Sequence, residues 1–593
     1  MTAPKWISAS KLRNFLLDDP IVDWLERFGE SCGYVPDPLD VRADFGTFIM
    51  RKGREFEERL LPLVEARLGP VQRVVGDGPR GYRPEYVAAT LDAMKQGKPL
   101  IYQGMVADPA SHTCGLPDLL VRSDHLNNLV PGSIDAAQAR ISTPMLPGCA
   151  FHYVVVDIKF SRLHFNKNWQ MKNTGSALAF KAQVLVYNRA LAAMQGLRPD
   201  HAYLLGRASE QSYTENKEPV VNRNDGCLAR LAAISTDDPE LWQQVDAAVA
   251  WLRRLDEQGA QWVAEPAPSV HELRPNMKAA DSRWRQAKKK IAATTGELTC
   301  LWQVGVAKRN QALADGVLRG DQPDLSAAQL GVTGASTGDR LDALLDIERA
   351  SAAVVVTPPR ITWNEDAWRN SRLVEFFVDF ETVSDLDDDF SKLPTTGGRP
   401  MIFQIGCLHV EDGEIVFEQW TADRLTADEE RRVVGAWLDH MQTVKRRLDP
   451  DGPPVRVVHW SPAEDSFLST AYNAFYQRNP AITRTPIDLF DFLGEVVKPK
   501  GAMSDTIAVR GARGFGLKRV AKAMHQHGLI AAEWGDSVTD GLGAMAAAWS
   551  CDAEARKKGT KLPDFELMRE VAAYNKIDCV AMYEVVNWLR KNR

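Results

Sequence analysis

The sequence predicts an α/β protein of two modules joined by a helical middle. Three observations carry that expectation. Residues 1–210 mix helical and strand periodicities, while residues 211–370 are mostly helical by period and broken by polar Gly/Asp/Ser loops. From 371 to 593 the strand-like runs LVEFFVDFE, MIFQIGCLHV, EIVFEQW and VRVVHW alternate with helical stretches. Pro358-Pro359 reads as a junction ahead of the last module, and Val410 to Gly413, between two alternating runs, reads as a hairpin turn.

Composition narrows the class. The chain has 593 residues, 45% hydrophobic and 25% charged, which excludes a disordered, collagen-like or coiled-coil protein. No stretch approaches the roughly 18 consecutive apolar residues of a membrane span, so no membrane partner is expected. The opening MTAPKWISASKLRNFL lacks the basic-then-apolar layout of a secretory signal, and a cytoplasmic protein is expected. Eight cysteines are scattered without a CxxC pair, which argues against a disulfide framework and a zinc ribbon. The formal net charge of −6 means that any nucleic-acid contact must come from local basic patches.

Four segments of the first module carry candidate chemistry. In RKGREFEERLLPLVEARL (51–68), Phe56, Leu60, Leu61, Val64 and Leu68 share one helical face, and Glu57 falls inside that arc. A carboxylate there needs a partner, and a basic residue or a metal would serve. Asp118, in CGLPDLLV (114–121), sits at the mouth of a short strand, a common place for a turn aspartate. In FHYVVVDIKFSR, Tyr153, Val155, Asp157 and Lys159 alternate along one strand face. Such an aspartate can hold a hard cation and such a lysine can assist an attacking water; a solvated ion pair is the plain alternative. Gln183 and Tyr187 lie one helical turn apart and can meet the same ligand.

Taken together, Glu57, Pro117-Asp118, Asp157-x-Lys159 and Gln183-x3-Tyr187, in helix–strand–strand–helix order, resemble the RecB-like branch of the PD-(D/E)XK nucleases, over about residues 5–210. The opening ISASKLRNFLLDDP is similar to that branch as well. The resemblance implies a restriction-endonuclease-like domain. In it Glu57, Asp118 and Asp157 hold Mg²⁺ or Mn²⁺, Lys159 assists water attack, and Gln183 and Tyr187 line the DNA path. Phe56 stands where many relatives place a histidine, and Asp18-Asp19-Pro20 stands where Cys-Pro would be expected, so no iron–sulfur cluster is expected.

The middle offers RWRQAKKK, 283–290. Arg283, Arg285, Lys288 and Lys289 with Trp284 form either a phosphate-contacting helix with a stacking aromatic or a solvated helix face. ELTCLWQVGVAKRNQALADGV (297–317) resembles the helical element between the modules of fused RecB-like nucleases, and its second half is distantly similar to a helix-hairpin-helix.

In the last module, Phe377, Asp379 and Glu381 share a strand face, and two like charges at that spacing repel unless a cation sits between them. In VRVVHWSPAEDSFLSTAY (455–472), a strand, turn and helix, Glu464 or Asp465 opens the helix as a cap or a ligand. In 571–589 a helical period places Tyr574, Asp578, Ala581, Val585 and Leu589 on one face. This set resembles the tyrosine-bearing DEDD exonucleases of the RNase H-like fold, over about 373–593. The resemblance implies that Asp379, Glu381, Glu464 and Asp578 bind two metal ions and that Tyr574 orients the attacking water. Glu464 stands where most relatives have Asp, with Asp465 as the neighbouring candidate. Lys518, in the glycine-rich GARGFGLKR (511–519), would contact phosphate if that segment cradles it rather than forming a plain loop.

The expectation is thus a Mg²⁺- or Mn²⁺-dependent nuclease with two sites, acting on single-stranded or duplex DNA ends in repair, recombination or phage defence, with a helicase as a candidate partner. A 3′→5′ polarity at the second site follows from resemblance alone. The rivals are one live site with the other as a binding platform, a non-enzymatic scaffold, and RNA as substrate.

Overall fold

The computed structural model describes residues 5–38, 42–75, 81–279, 283–362, 365–383, 401–453, 455–460, 495–497, 507–535 and 541–593. The described residues divide into two compact units, one drawn from 5–37 and 49–295, the other from 38–48, 296–383 and 401–593. Each is mixed α/β. Among the described residues no helix is long and apolar enough to cross a membrane.

The first unit contains β1 (Ile7–Ser8), nearly all of α1 (Phe45–Leu68), β2 (Val71–Arg73), β3 (Leu100–Tyr102), β4 (Val106–Asp108), β5 (Thr113–Gly115) and β6 (Leu119–Arg122). It continues with β7 (Tyr153–Phe165), α2 (Ala177–Gln195), β8 (His201–Glu215), β9 (Glu218–Asn224), β10 (Leu231–Ser235), α3 (Pro239–Gln258) and α4 (Arg285–Thr295). One sheet runs β10-β8-β7-β6-β3-β2 with β9 alongside β8; β1, β5 and β4 form a smaller one. The two-residue alternation of β7 sorts its faces. Val154, Val156 and Ile158 cluster with the apolar face of α1, while Tyr153 and Val155 cluster with α2. Asp157 and Lys159 therefore stand on the α2 side, at the end of that apolar run.

Residues 211–235 differ from the helical expectation. There β8 runs on to Glu215, and β9 and β10 extend the same sheet. Tyr213, Thr214, Val220 and Val221 are β-formers, but the hairpin is mostly exposed and its polar positions hide the alternation. Asn216 and Lys217 close it with φ of 52° and 69°, the left-handed pair that a two-residue hairpin turn requires. The stretch expected as a bridge is divided: residues 211–295 belong to the first unit and 296–370 to the second.

The second unit opens with α5 (Val306–Ala314), α6 (Ala335–Arg349) and β11 (Val356–Thr357). Then follow β12 (Glu375–Val383), β13 (Met401–Glu411), β14 (Glu414–Thr421), α7 (Ala427–Leu448), β15 (Arg456–Val458), β16 (Glu495–Val497) and β17 (Ala508–Val509). The chain closes with α8 (Leu517–Gln526), α9 (Gly541–Lys558) and α10 (Glu566–Asn592). The sheet order is β14-β13-β12-β15-β16. β13 runs antiparallel to both β14 and β12, and β12, β15 and β16 are parallel. The turn at Asp412-Gly413 has φ of 53° and 86°, as the hairpin reading of 410–413 requires. On β12 the even residues Phe376, Val378 and Phe380 pack with α7 and α9, and Phe377 packs with α8 and α10. Asp379 and Glu381 share the Phe377 face, under α10.

Candidate functional site

In the first unit the predicted residues do converge. Asp118 immediately precedes β6, and the antiparallel pairing of β6 with β7 brings it beside Asp157. Its backbone N–H donates to Asp157 Oδ1 at 3.4 Å, and its Oδ2 accepts the N–H of Ile158 at 2.7 Å. Burial, followed by the charges of Asp157 and Glu57, holds the Asp118 carboxyl well above the ordinary range. Glu57 accepts a 2.7 Å hydrogen bond from the Tyr102 hydroxyl, which in turn accepts from Gln103 Nε2 at 3.1 Å. Neither Tyr102 nor Gln103 was anticipated; both lie outside any recognisable motif.

Lys159 Nζ lies 2.5 Å from Asp157 Oδ2 and donates to Gln183 Oε1 at 2.9 Å, and Gln183 Nε2 donates to the Tyr187 hydroxyl at 2.7 Å. Gln183 therefore aims the ammonium. Tyr187 is only 3% exposed, with its ring over Gly115, where a Cβ would come within 2.0 Å of it. This corrects the expectation that Tyr187 lines a DNA path: its ring is packed inside, and its hydroxyl bonds the Gln183 amide that also receives Lys159.

The second unit gathers its acids more tightly. Among the described residues, Asp379, Glu381 and Asp578 form one group whose ligand oxygens all lie within 4.8 Å of one another. Glu57, Asp118 and Asp157 do not form such a group. Two elements make the second cluster: β12 supplies two carboxylates by its alternation, and α10 lays the third across them. Glu381 is raised from 4.5 to about 8, by burial first and the Asp578 charge second, with Lys518 opposing. Trp534 Nε1 donates to Asp578 Oδ1 at 2.9 Å, and Asn575 Nδ2 donates to Asp379 Oδ2 at 2.8 Å. Oxygen donors of this kind suit a hard divalent cation, and such an ion would let all three carboxylates ionise this close together.

Tyr574 lies one turn before Asp578 on α10, and its buried hydroxyl has no hydrogen-bond partner among the described residues. Lys518, at the start of α8, places its Nζ 4.0 Å from the centroid of the Tyr574 ring. The first turn of α8 thus delivers one cation to the cluster's edge. Glu464 and Asp465 lie outside the described residues.

The basic segment 283–290 is corrected in part. Trp284 is 1% exposed and donates its indole N–H to Glu26 at 2.8 Å, so it stacks on no base. Lys288 is 2% exposed with Nζ 2.5 Å from Asp19, and Arg283 lies 3.4 Å from Glu26. The helical period turns Trp284, Ala287, Lys288 and Ile291 inward together, and the buried ammonium finds a carboxylate. Arg285 and Lys289 remain on the exposed face. Comparison with family models, with curated proteins and with solved structures finds no match for this chain.

Proposed function

We propose that the chain is a metal-dependent nuclease that hydrolyses DNA phosphodiester bonds at ends, with its principal site at Asp379, Glu381 and Asp578. The observation that carries this reading is the convergence of three carboxylates within 4.8 Å, two of them neighbours on one strand and the third, Asp578, about two hundred positions further along the chain. The strand order of the second unit, with a central strand flanked by an antiparallel pair and a parallel pair, supports an RNase H-like fold of the DEDD type. The helix–strand–strand–helix grouping of Glu57, Asp118, Asp157, Lys159 and Gln183 supports a RecB-like PD-(D/E)XK fold for the first unit.

Asp379, Glu381 and Asp578 would hold Mg²⁺ or Mn²⁺, and a bound ion would supply Lewis-acid polarisation of the scissile phosphate. The chain's own groups do the rest. Tyr574 offers a buried hydroxyl with unused hydrogen-bonding capacity to orient a water for in-line attack. Lys518 adds positive charge where phosphate would enter. In the first unit, Gln183 and Asp157 hold the Lys159 ammonium in place for the same kind of attack. The specific second reading makes the first unit a binding platform. It is favoured by the Lys159 ammonium on Asp157 and the Tyr102 hydroxyl on Glu57, two groups a cation would have to share.

The test uses 3′- and 5′-labelled single-stranded DNA, duplex DNA and RNA with Mg²⁺ or Mn²⁺. Wild type is compared with Lys159→Ala, Asp379→Ala and the double variant. Loss of cleavage with Asp379→Ala places the chemistry at the second site, and unchanged cleavage with Lys159→Ala makes the first unit a platform. Retardation of DNA without cleavage by wild type would overturn the enzymatic reading, and preferential cleavage of RNA would move the substrate class.

A further inference from the structure

We propose that Asn575 is a positioning residue that fixes the metal-facing geometry of Asp379, and that position 406 is glycine to admit it. The proposal rests on the reading of Asp379, Glu381 and Asp578 as a cation site and goes beyond it by naming what sets one ligand's orientation.

Asn575 is fully buried at 0% exposure on α10. Its Nδ2 donates to Asp379 twice, to the backbone carbonyl at 3.1 Å and to Oδ2 at 2.8 Å. Its Oδ1 accepts from Gln419 Nε2 at 3.3 Å, and that nitrogen also donates to the Ala572 carbonyl at 3.1 Å. The chemistry allows one orientation of the amide. Both atoms on the Asp379 side are acceptors, and the Gln419 group is a donor, so a flipped amide would face like with like on both sides. Asp379 is held by its main chain and side chain at once, which restricts its χ1 and leaves Oδ1 as the oxygen turned elsewhere.

The space for this amide comes from the neighbouring strand. Gly406 on β13 is the direct cross-strand partner of Asp379 on β12, so a side chain there would stand on the same sheet face. A Cβ at 406 would lie 1.9 Å from Asn575 Oδ1 and 3.0 Å from its Cγ. Asn575 thus fills the place of the missing side chain. The slot, the amide and the carboxylate form one unit whose parts lie in three elements.

A double-mutant cycle in the full chain tests this, with Mn²⁺ affinity, melting temperature and cleavage as readouts. Asp379→Ala defines the Mn²⁺ increment that belongs to the second site. Asn575→Ala should weaken that increment by roughly 10–100-fold, the range for loss of an outer-shell partner. Asn575→Asp, similar in size but with an acceptor facing a carboxylate, should do no better. Gly406→Ala should show the same loss, because the new Cβ evicts the amide. Gly406→Ala/Asn575→Ala should be no worse than Asn575→Ala, because the methyl then enters the vacated space.

Wild-type affinity in Asn575→Ala would overturn the positioning role, as would additive losses in the double variant. Equal Mn²⁺ binding by wild type and Asp379→Ala would instead overturn the cation reading itself. The Gly406–Asn575 packing would then be judged from melting temperatures alone.

Discussion

Glu381→Gln should stabilise the metal-free protein while removing its response to metal. In the fold, burial and the Asp578 charge raise the Glu381 carboxyl from 4.5 to about 8. A group whose pKa is raised on folding contributes its full stability below the unfolded value and loses it as pH climbs through the folded value. The window here runs from about 4.5 to about 8. At pH 7 the unfolded chain is ionised at this position and the folded chain must take up a proton. That costs about 3 kcal/mol, from ~1.4 kcal/mol per unit over the ~2.5 units between 4.5 and 7. Glutamine keeps the shape and carries no charge to bury. The Gln variant should therefore match wild type near pH 4 and exceed it by about 3 kcal/mol at pH 7, and by about 5 kcal/mol at pH 9. Denaturant titrations of the full chain in chelator at the three pH values measure this. Repetition with Mn²⁺ should raise wild type and leave the variant nearly unmoved, since ligand stabilisation requires the site. Equal stability of the two proteins at pH 7 and 9, or a less stable variant, would refute the account of a compressed acid cluster.

Tyr574→Phe should lower cleavage roughly 10²-fold, the low end for a lost proton-handling group. It should leave stability unchanged or raise it by about 1 kcal/mol, because the deleted hydroxyl is buried without a partner; lower thermal stability in the variant would contradict this. A separate pH effect arises from His409 on β13 and His440 on α7, whose rings lie 5.5 Å apart and are both depressed by burial, with Glu411, Glu418 and Arg447 as charged neighbours. A depressed pKa contributes stability that is whole above about 6.5 and is lost as pH falls through the folded value, by at most ~1.4 kcal/mol per pH unit for each ring. His409→Gln/His440→Gln should flatten acid unfolding below pH 6.5, and an unchanged slope would remove the pair from the account.

Much of both sites was legible because it rests on periods. The two-residue repeat of β12 places Asp379 and Glu381 on one face, and the helical repeat of α10 turns Asp578 toward apolar neighbours. The alternation of β7 did the same for Asp157 and Lys159. Asn575 obeys the period that revealed Asp578, and a polar residue on that inward face was the available signal. Gly406 and Trp534 were not legible: a glycine's use as a slot depends on what faces it, and Trp534 reaches Asp578 from 44 positions away. Lys288 and Trp284 misled because composition marks a basic cluster but only packing shows which members turn inward. The β8–β9 hairpin escaped for a related reason, since an exposed ribbon needs no apolar face to hold its register.

The second site depends on how α10 is registered against β12, and a second anchor sets that register. Arg590 lies 12 residues beyond Asp578 on the same helix, roughly 18 Å along its axis. Its guanidinium grips Glu375 with two parallel bonds, Nη1 to Oε2 at 2.8 Å and Nη2 to Oε1 at 2.7 Å, while Arg456 on β15 adds a third at 3.2 Å. Glu375 begins β12, four residues before Asp379, so helix and strand are tied at two separated points and the helix cannot pivot about either. Arg590→Ala leaves Glu375 with Arg456, so the loss should fall near the low end for a broken buried pair, about 3 kcal/mol. Arg590→Lys should recover little of it, because a single ammonium cannot reproduce the planar fork. With the far anchor gone, Asp578 should also hold its place less well, and the Mn²⁺ increment assigned to the second site should weaken along with stability. A variant that melts with wild type and binds Mn²⁺ equally would show that the helix is registered by its apolar face alone.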